Sequence, residues 1–215
     1  ALMQSDPSLE KRLIFLIGVN ATTNPFVHNL HNEALALVLL ALAYLWLLLY
    51  VRTNQRLYLA LMVITPALGF WVKQYLAVWV VFYTGYILFF DERRSIKRAM
   101  LFGLLSATLL AISISLGYLI WKADYIYWVF TVIYQHGTSP LRMVQNLLQV
   151  WPYALLGLVC GLLLVWEKRG RKLLGLWLVW LLLFLQEVYT SGVGWMLHHM
   201  GPGSLIAGVW MVAAV

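Results

Sequence analysis

The sequence predicts an all-α fold: a polytopic transmembrane helical bundle with short paired spans and an outer interfacial helix. Three observations carry that reading. The 215 residues are 63% hydrophobic and 11% charged, whereas a soluble domain has roughly 25% charged residues. Apolar runs of helix length recur along the chain, parted by short polar connectors. The connectors alternate between two kinds. Residues 52–56, 91–98 and 167–172 hold ten of the fifteen Lys and Arg, whereas the others are poor in Lys/Arg and hold all five histidines. Positive residues are retained on the cytoplasmic side during insertion, so the basic connectors are expected inside and the His-bearing ones outside. The formal charge of +7 therefore calls for no nucleic-acid partner. Membrane lipids suffice, with basic clusters against anionic headgroups.

Residues 1–12 are polar, and 13–19 are too few to cross a bilayer alone, since a span needs about 20 residues. We read them as the end of a helix that begins upstream. The chain starts without Met and stops within an apolar run, so residues 1–215 are expected to be one transmembrane domain cut from a longer protein. Residues 20–33 form an outer loop with the sequon Asn20-Ala21-Thr22, and residues 34–51 are a clear span. Runs 57–72 and 75–90 are separated only by Lys73 and Gln74. One continuous helix would be too long for a single crossing, so a hairpin of two short spans is expected. Pro66 and Gly69 loosen its first arm, as membrane helices tolerate when neighbours satisfy the freed backbone.

Residues 99–121 span outward, with Ser106, Thr108, Ser113 and Ser115 placed for interhelical hydrogen bonds. Residues 122–146 form the longest outer connector. Within it, 125–134 is aromatic and half a span long, the pattern of an interfacial or re-entrant helix. Residues 147–166 span inward with Pro152 as a kink, 173–189 span outward, 190–204 form a Gly-rich outer loop, and 205 starts a final span. Trp71, Tyr75, Trp121, Trp128, Trp151 and Trp166 fall at span ends, where aromatic belts form. The single Cys160 can form no intrachain disulfide and reads as a small buried hydrophobe.

Candidate site residues concentrate on the outer side. His28, His31 and Glu33 run into the 34–51 span; they could ligate a divalent metal, or Glu33 could serve as a base. A carboxylate at a helix N-terminus is also favoured by the helix dipole alone. Lys73 is costly in hydrocarbon and should reach the outer interface or a polar cavity. There its ammonium could bind a phosphate with Gln74 adding amide hydrogen bonds, or it could simply snorkel. Glu187, near the outer end of its span, is an intramembrane acid. His136 and Arg142 flank a turn and could meet an anionic substrate. His198 and His199 are adjacent and so point apart. Among these, Lys73, Gln74, Glu33, His31, Arg142 and His198 are taken as the substrate-binding set, with no metal ligand and no catalytic residue assigned. No nucleotide loop, zinc-protease helix, Gly-x-Ser-x-Gly elbow or CxxC occurs.

Phe70-Trp71-Val72-Lys73-Gln74, followed by an apolar run and the basic connector 91–98, resembles the "TKQ" region of polytopic glycosyltransferases with the GT-C fold. His31-Asn32-Glu33-Ala34-Leu35-Ala36-Leu37 resembles the segment where those proteins carry an acid before an apolar span, and Gly201-Pro202-Gly203-Ser204 has a counterpart there. Val72 replaces the family's usual Thr, and Glu33 stands where Asp is common. The resemblance implies a bacterial cytoplasmic-membrane enzyme that takes a sugar from a polyprenyl-phosphate-linked donor at the extracytoplasmic face. Lys73 and Gln74 would face the donor phosphate and Glu33 would line the cavity. The family's catalytic acid lies in the first outer loop after the first span, which is outside these residues. The alternative is a non-catalytic membrane subunit of a larger complex, associated with a protein partner, lipid or pigment. A transporter ranks last, because charged pairs at mid-span are lacking.

Overall fold

A computed structural model describes residues 32–92, 95–132, 137–193 and 201–214. Its described residues form helices and their connectors, with no strand among them. In chain order these are α1 (Asn32–Thr53), α2 (Arg56–Val72), a 3-10 turn (Gln74–Val78), α3 (Trp79–Phe89), α4 (Ile96–Ile126) with a π-helical continuation (Tyr127–Thr131), α5 (Pro140–Lys168), α6 (Arg171–Val193) and α7 (Gly201–Ala214). Three stretches, Ile96–Thr131, Pro140–Lys168 and Arg171–Gly192, are long and apolar enough to cross a membrane. Outward-facing leucines and isoleucines such as Leu104, Ile112, Leu119, Leu155 and Leu163 line them. A soluble surface rarely carries so much contiguous apolar area; lipid is its natural solvent. The chain is an integral membrane protein.

The helices gather into two compact units, one of residues Val38–Gly137 and one of Thr138–Val215 with Ala1–Leu37. In the Val38–Gly137 unit, α1 turns into α2 through Asn54 and Gln55. Asn54 takes the left-handed conformation at φ 54°, which Asn tolerates better than most residues, and its N–H donates to Tyr50 O at 2.7 Å. Trp46 and Tyr58 stack across the resulting hairpin with centroids 6.2 Å apart. Tyr83 Oη donates to Ala43 O at 2.7 Å and Tyr50 Oη to Asp91 Oδ2 at 2.8 Å. The two bonds advance together, so α1 and α3 run parallel and α2 runs against both.

The expected hairpin at Lys73 is therefore present. Lys73 itself is extended (φ −151°, ψ 125°) and closes α2 through a 2.8 Å bond from its N–H to Gly69 O. Gly69 is required there, since a Cβ would come within 2.8 Å of Leu76 Cβ. Trp79, Tyr83, Tyr86, Met62, Leu40 and Leu47 fill the unit's interior. Arg52, Arg56, Asp91 and Arg98 fall at one end of this unit; Lys73, Trp71 and Trp121 fall at the other, where Trp71 and Trp121 meet edge to face at 5.7 Å.

In the second unit, α5 and α6 are antiparallel and joined by a tight turn in which Arg169 is left-handed at φ 44°. Gly157 and Gly161, one turn apart on α5, leave a slot filled by the rings of Trp180 and Trp177. Both indole N–H groups are satisfied by backbone: Trp177 Nε1 donates to Gly157 O at 3.2 Å and Trp180 Nε1 to Gly203 O at 2.8 Å. Such pairing is needed where no water reaches.

Candidate functional site

α5 begins at Pro140, seven residues before the span start expected from sequence, so Arg142 lies in a helix and not in a loop. The cause is local. Ser139 is the N-cap, accepting from Arg142 N at 3.4 Å, and Pro140 occupies the first turn, where its fixed φ and missing N–H carry no penalty. The extended helix end is tied to the end of α6. Ser139 N donates to Gly192 O at 2.9 Å and Asn146 Nδ2 to Ser191 O at 3.2 Å. These are the terminal carbonyls that α6 cannot satisfy itself. The Gly-rich connector is correspondingly shorter than expected, because α6 runs to Val193 and α7 starts at Gly201.

The result is a polar stripe on α5. Arg142, Gln145, Asn146 and Gln149 recur at helical spacing and, with Leu148, line an open cavity of about 590 Å³. Arg142 is half-buried, Asn146 is buried, and Gln145 and Gln149 are exposed. The first turn of α5 contains no acid. The positive end of the helix dipole and a guanidinium thus coincide, which favours an anion. The amides add donors and acceptors fit for hydroxyls. This stripe lies toward the end of α5 remote from the basic turn Lys168, Arg169, Arg171 and Lys172, about 30–40 Å from it along the helix.

Deeper in the same unit, Glu187 is 1% exposed, and both its oxygens accept from the backbone N–H of Gly203 at 2.9 and 3.0 Å. The N–H belongs to the first turn of α7, one of the donors no helix can satisfy internally. Glu187 thus acts as a side-chain cap delivered by a neighbouring helix.

Lys73 and Gln74 belong to the other unit. Lys73 is half-buried in the extended break between α2 and the 3-10 turn, and Gln74 opens that turn. Glu33 falls in the first turn of α1. His31 and His198, like His28, His136 and His199, lie outside the described residues. Among the described residues no group of three His, Cys, Asp or Glu could hold a metal. Gln145, Asn146 and Gln149 are not among the residues expected from sequence; the signal for them is their spacing of i+3, i+4 and i+7 from Arg142. Comparisons with protein-family models, with curated proteins and with solved structures give no match.

Proposed function

We propose that the chain is an integral membrane glycosyltransferase, or a piece of one, transferring a sugar from a polyprenyl-phosphate-linked donor at the extracytoplasmic face. The observation that carries the reading is the Arg142 stripe: a cation and three amides around an open cavity, on a membrane-spanning helix whose exposed side chains are otherwise largely apolar. It lies at the end of α5 away from the basic turn, and the positive-inside rule makes that the outer end. A lipid phosphate needs a cation at headgroup depth beside an apolar path for its tail. Arg142 supplies the first, and exposed Leu141, Val144 and Leu148 supply the second. Gln145 and Gln149 would hydrogen-bond sugar hydroxyls. The Lys73–Gln74 segment of the other unit supports the same enzyme class separately, through its resemblance to GT-C enzymes.

The decisive experiment incubates the native polypeptide, with any spans that precede these residues, with a polyprenyl-phosphate sugar and a hydroxyl-bearing acceptor, and reads both retention of the lipid and transfer of the sugar to the acceptor. Arg142→Ala should lower retention about tenfold, the size of one charge-assisted contact at roughly 1.4 kcal/mol. Equal retention by wild type and by this variant would remove the stripe from the proposal. A second reading, a non-catalytic subunit that holds such a lipid within a larger complex, is favoured by the cavity wall, which among the described residues carries no carboxylate. Retention of lipid with no transfer to the acceptor, in the polypeptide that includes the upstream outer loop, would select it.

A further inference from the structure

α4 holds a backbone conformation that its sequence does not favour. Lys122 sits at φ 52°, ψ −131° inside an otherwise helical stretch. That region of conformational space is natural to glycine and costly for a residue with a Cβ. The turn sends the chain back on itself. Tyr125, three residues on, lays its ring against Gly117, where any Cβ would collide with it. Trp121 and Tyr125 stack at 6.2 Å, Trp71 lies 6.4 Å from Tyr125, and Phe130 lies 6.3 Å from Phe70. The part of α4 beyond its break at Lys122, with the π-helical continuation to Thr131, therefore folds back across the ends of α2 and of the Ile96–Trp121 arm within their own unit.

Length fixes the level at which this happens. From Ile96 to Trp121, α4 is about 39 Å long, already more than the roughly 30 Å hydrocarbon core. The turn at Lys122 thus falls among headgroups. Tyr125 returns by about one helical turn, the spacing from Trp121 down to Gly117, or roughly 6 Å. One side of the returning segment is used up by Tyr125 and Phe130. The other presents Ile126, Tyr127 and Trp128, the last 66% exposed, while Lys122 and Asp124 stay exposed at the rim. An apolar-aromatic face with its charges at the edge, one turn below the phosphates, has the chemistry of a helix lying in the membrane surface. Such helices bury their apolar face about 5–10 Å into the headgroup–acyl boundary, and Trp and Tyr concentrate at that depth.

We propose that residues 123–131 are a membrane-interface anchor whose Ile126, Tyr127 and Trp128 face is seated in the lipid headgroup–acyl boundary, with the reversed backbone at Lys122 setting its level. The partner is the bilayer surface, and the proposal is independent of the transferase reading.

A nitroxide attached at W128C, in a Cys160→Ser background, reads the depth directly. The full chain would be reconstituted in phosphatidylcholine–phosphatidylglycerol vesicles and probed by power saturation with oxygen and with a water-soluble nickel chelate. A depth of about 5–10 Å below the phosphates is the expected result. Full accessibility to the nickel chelate would make the segment a water-facing flap, and a depth near the bilayer centre would make it part of a span; either overturns the anchor. Lys122→Gly supplies an independent arm, because glycine adopts the reversed conformation freely. The label should keep its depth and the protein its thermal stability in that variant. A shift of the label out of the boundary, or a clear loss of stability, would show that Lys122 continues a helix, and the proposal would fall.

Discussion

The carboxylate of Glu187 commits both oxygens to one backbone N–H, that of Gly203, at 2.9 and 3.0 Å. The pair joins the side of α6 to the start of α7, and Trp180 makes the junction double by donating to the carbonyl of the same glycine. Gly203 leaves no room for variation. A Cβ there would come within 2.5 Å of Glu187 Oε2 and 2.9 Å of Phe184 Cδ2. Gly203→Ala should therefore cost about 1–3 kcal/mol, the usual penalty for overpacking. Glu187→Leu should cost about as much by stranding the buried N–H, whereas Glu187→Gln, which keeps one acceptor, should lose less. Thermal unfolding in detergent ranks the three; a leucine variant as stable as wild type would show that the cap contributes nothing.

A contrast between glycines checks the packing of the second unit. Alanine at Gly157 would put a methyl group into the ring of Trp180, so Gly157→Ala should lower stability by about 1–3 kcal/mol. Gly208 faces open space. There the same substitution relieves backbone entropy and should raise stability by about 0.5–1 kcal/mol. Opposite signs in one unfolding assay are the expected outcome, and equal effects would contradict the tryptophan slot.

At the basic end of the first unit, Asp91 Oδ2 accepts from Tyr50 Oη at 2.8 Å and pairs with Arg98 Nη1 at 3.2 Å, with the guanidinium 5.4 Å from the Tyr50 ring centroid. Removing the acid strands a phenol and a cation that are both largely sheltered. Asp91→Ala should cost about 1–3 kcal/mol, more than Tyr50→Phe, which breaks only the phenol's bond. A double-mutant cycle over the two positions should return a coupling of at least about 0.5 kcal/mol. Strict additivity would mean that the contact is incidental.

Lys73→Ala gives a functional prediction without a structural one. The N–H of Lys73 closes α2, and the substitution keeps that bond, so the variant should still fold. Under the transferase reading it should nonetheless abolish sugar transfer. Full activity would detach Lys73 from the site.

The span pattern was legible because lipid imposes it. Apolar runs, the charge break at Lys73 and the connector starting at Lys122 each mark an energetic boundary that needs no knowledge of neighbours. The start of α5 was misplaced because Arg142, Gln145 and Asn146 look like loop residues to a hydropathy criterion. Ser139-Pro140, a cap followed by a first-turn proline, was the better signal. The pairing of Glu187 with Gly203 was not legible at all. Nothing local in either residue specifies the other, and the match exists only once α6 and α7 lie side by side. The reversal at Lys122 is of the same kind, since its cause is the seat that Gly117 offers Tyr125.

The Tyr50–Asp91 bond also orders events in time. Its partners are 41 residues apart, and at about 5–20 residues per second of synthesis Tyr50 waits roughly 2–8 s for its acid. During that interval the contacts Trp46–Tyr58 and then Tyr83–Ala43 can already hold α1, and the Tyr50–Asp91 bond is added last. A crosslink between cysteines at positions 50 and 91, sought in arrested chains of increasing length, should appear only after residue 91 has cleared the translocation machinery. The basic end of the unit is thus the last part of it to be locked.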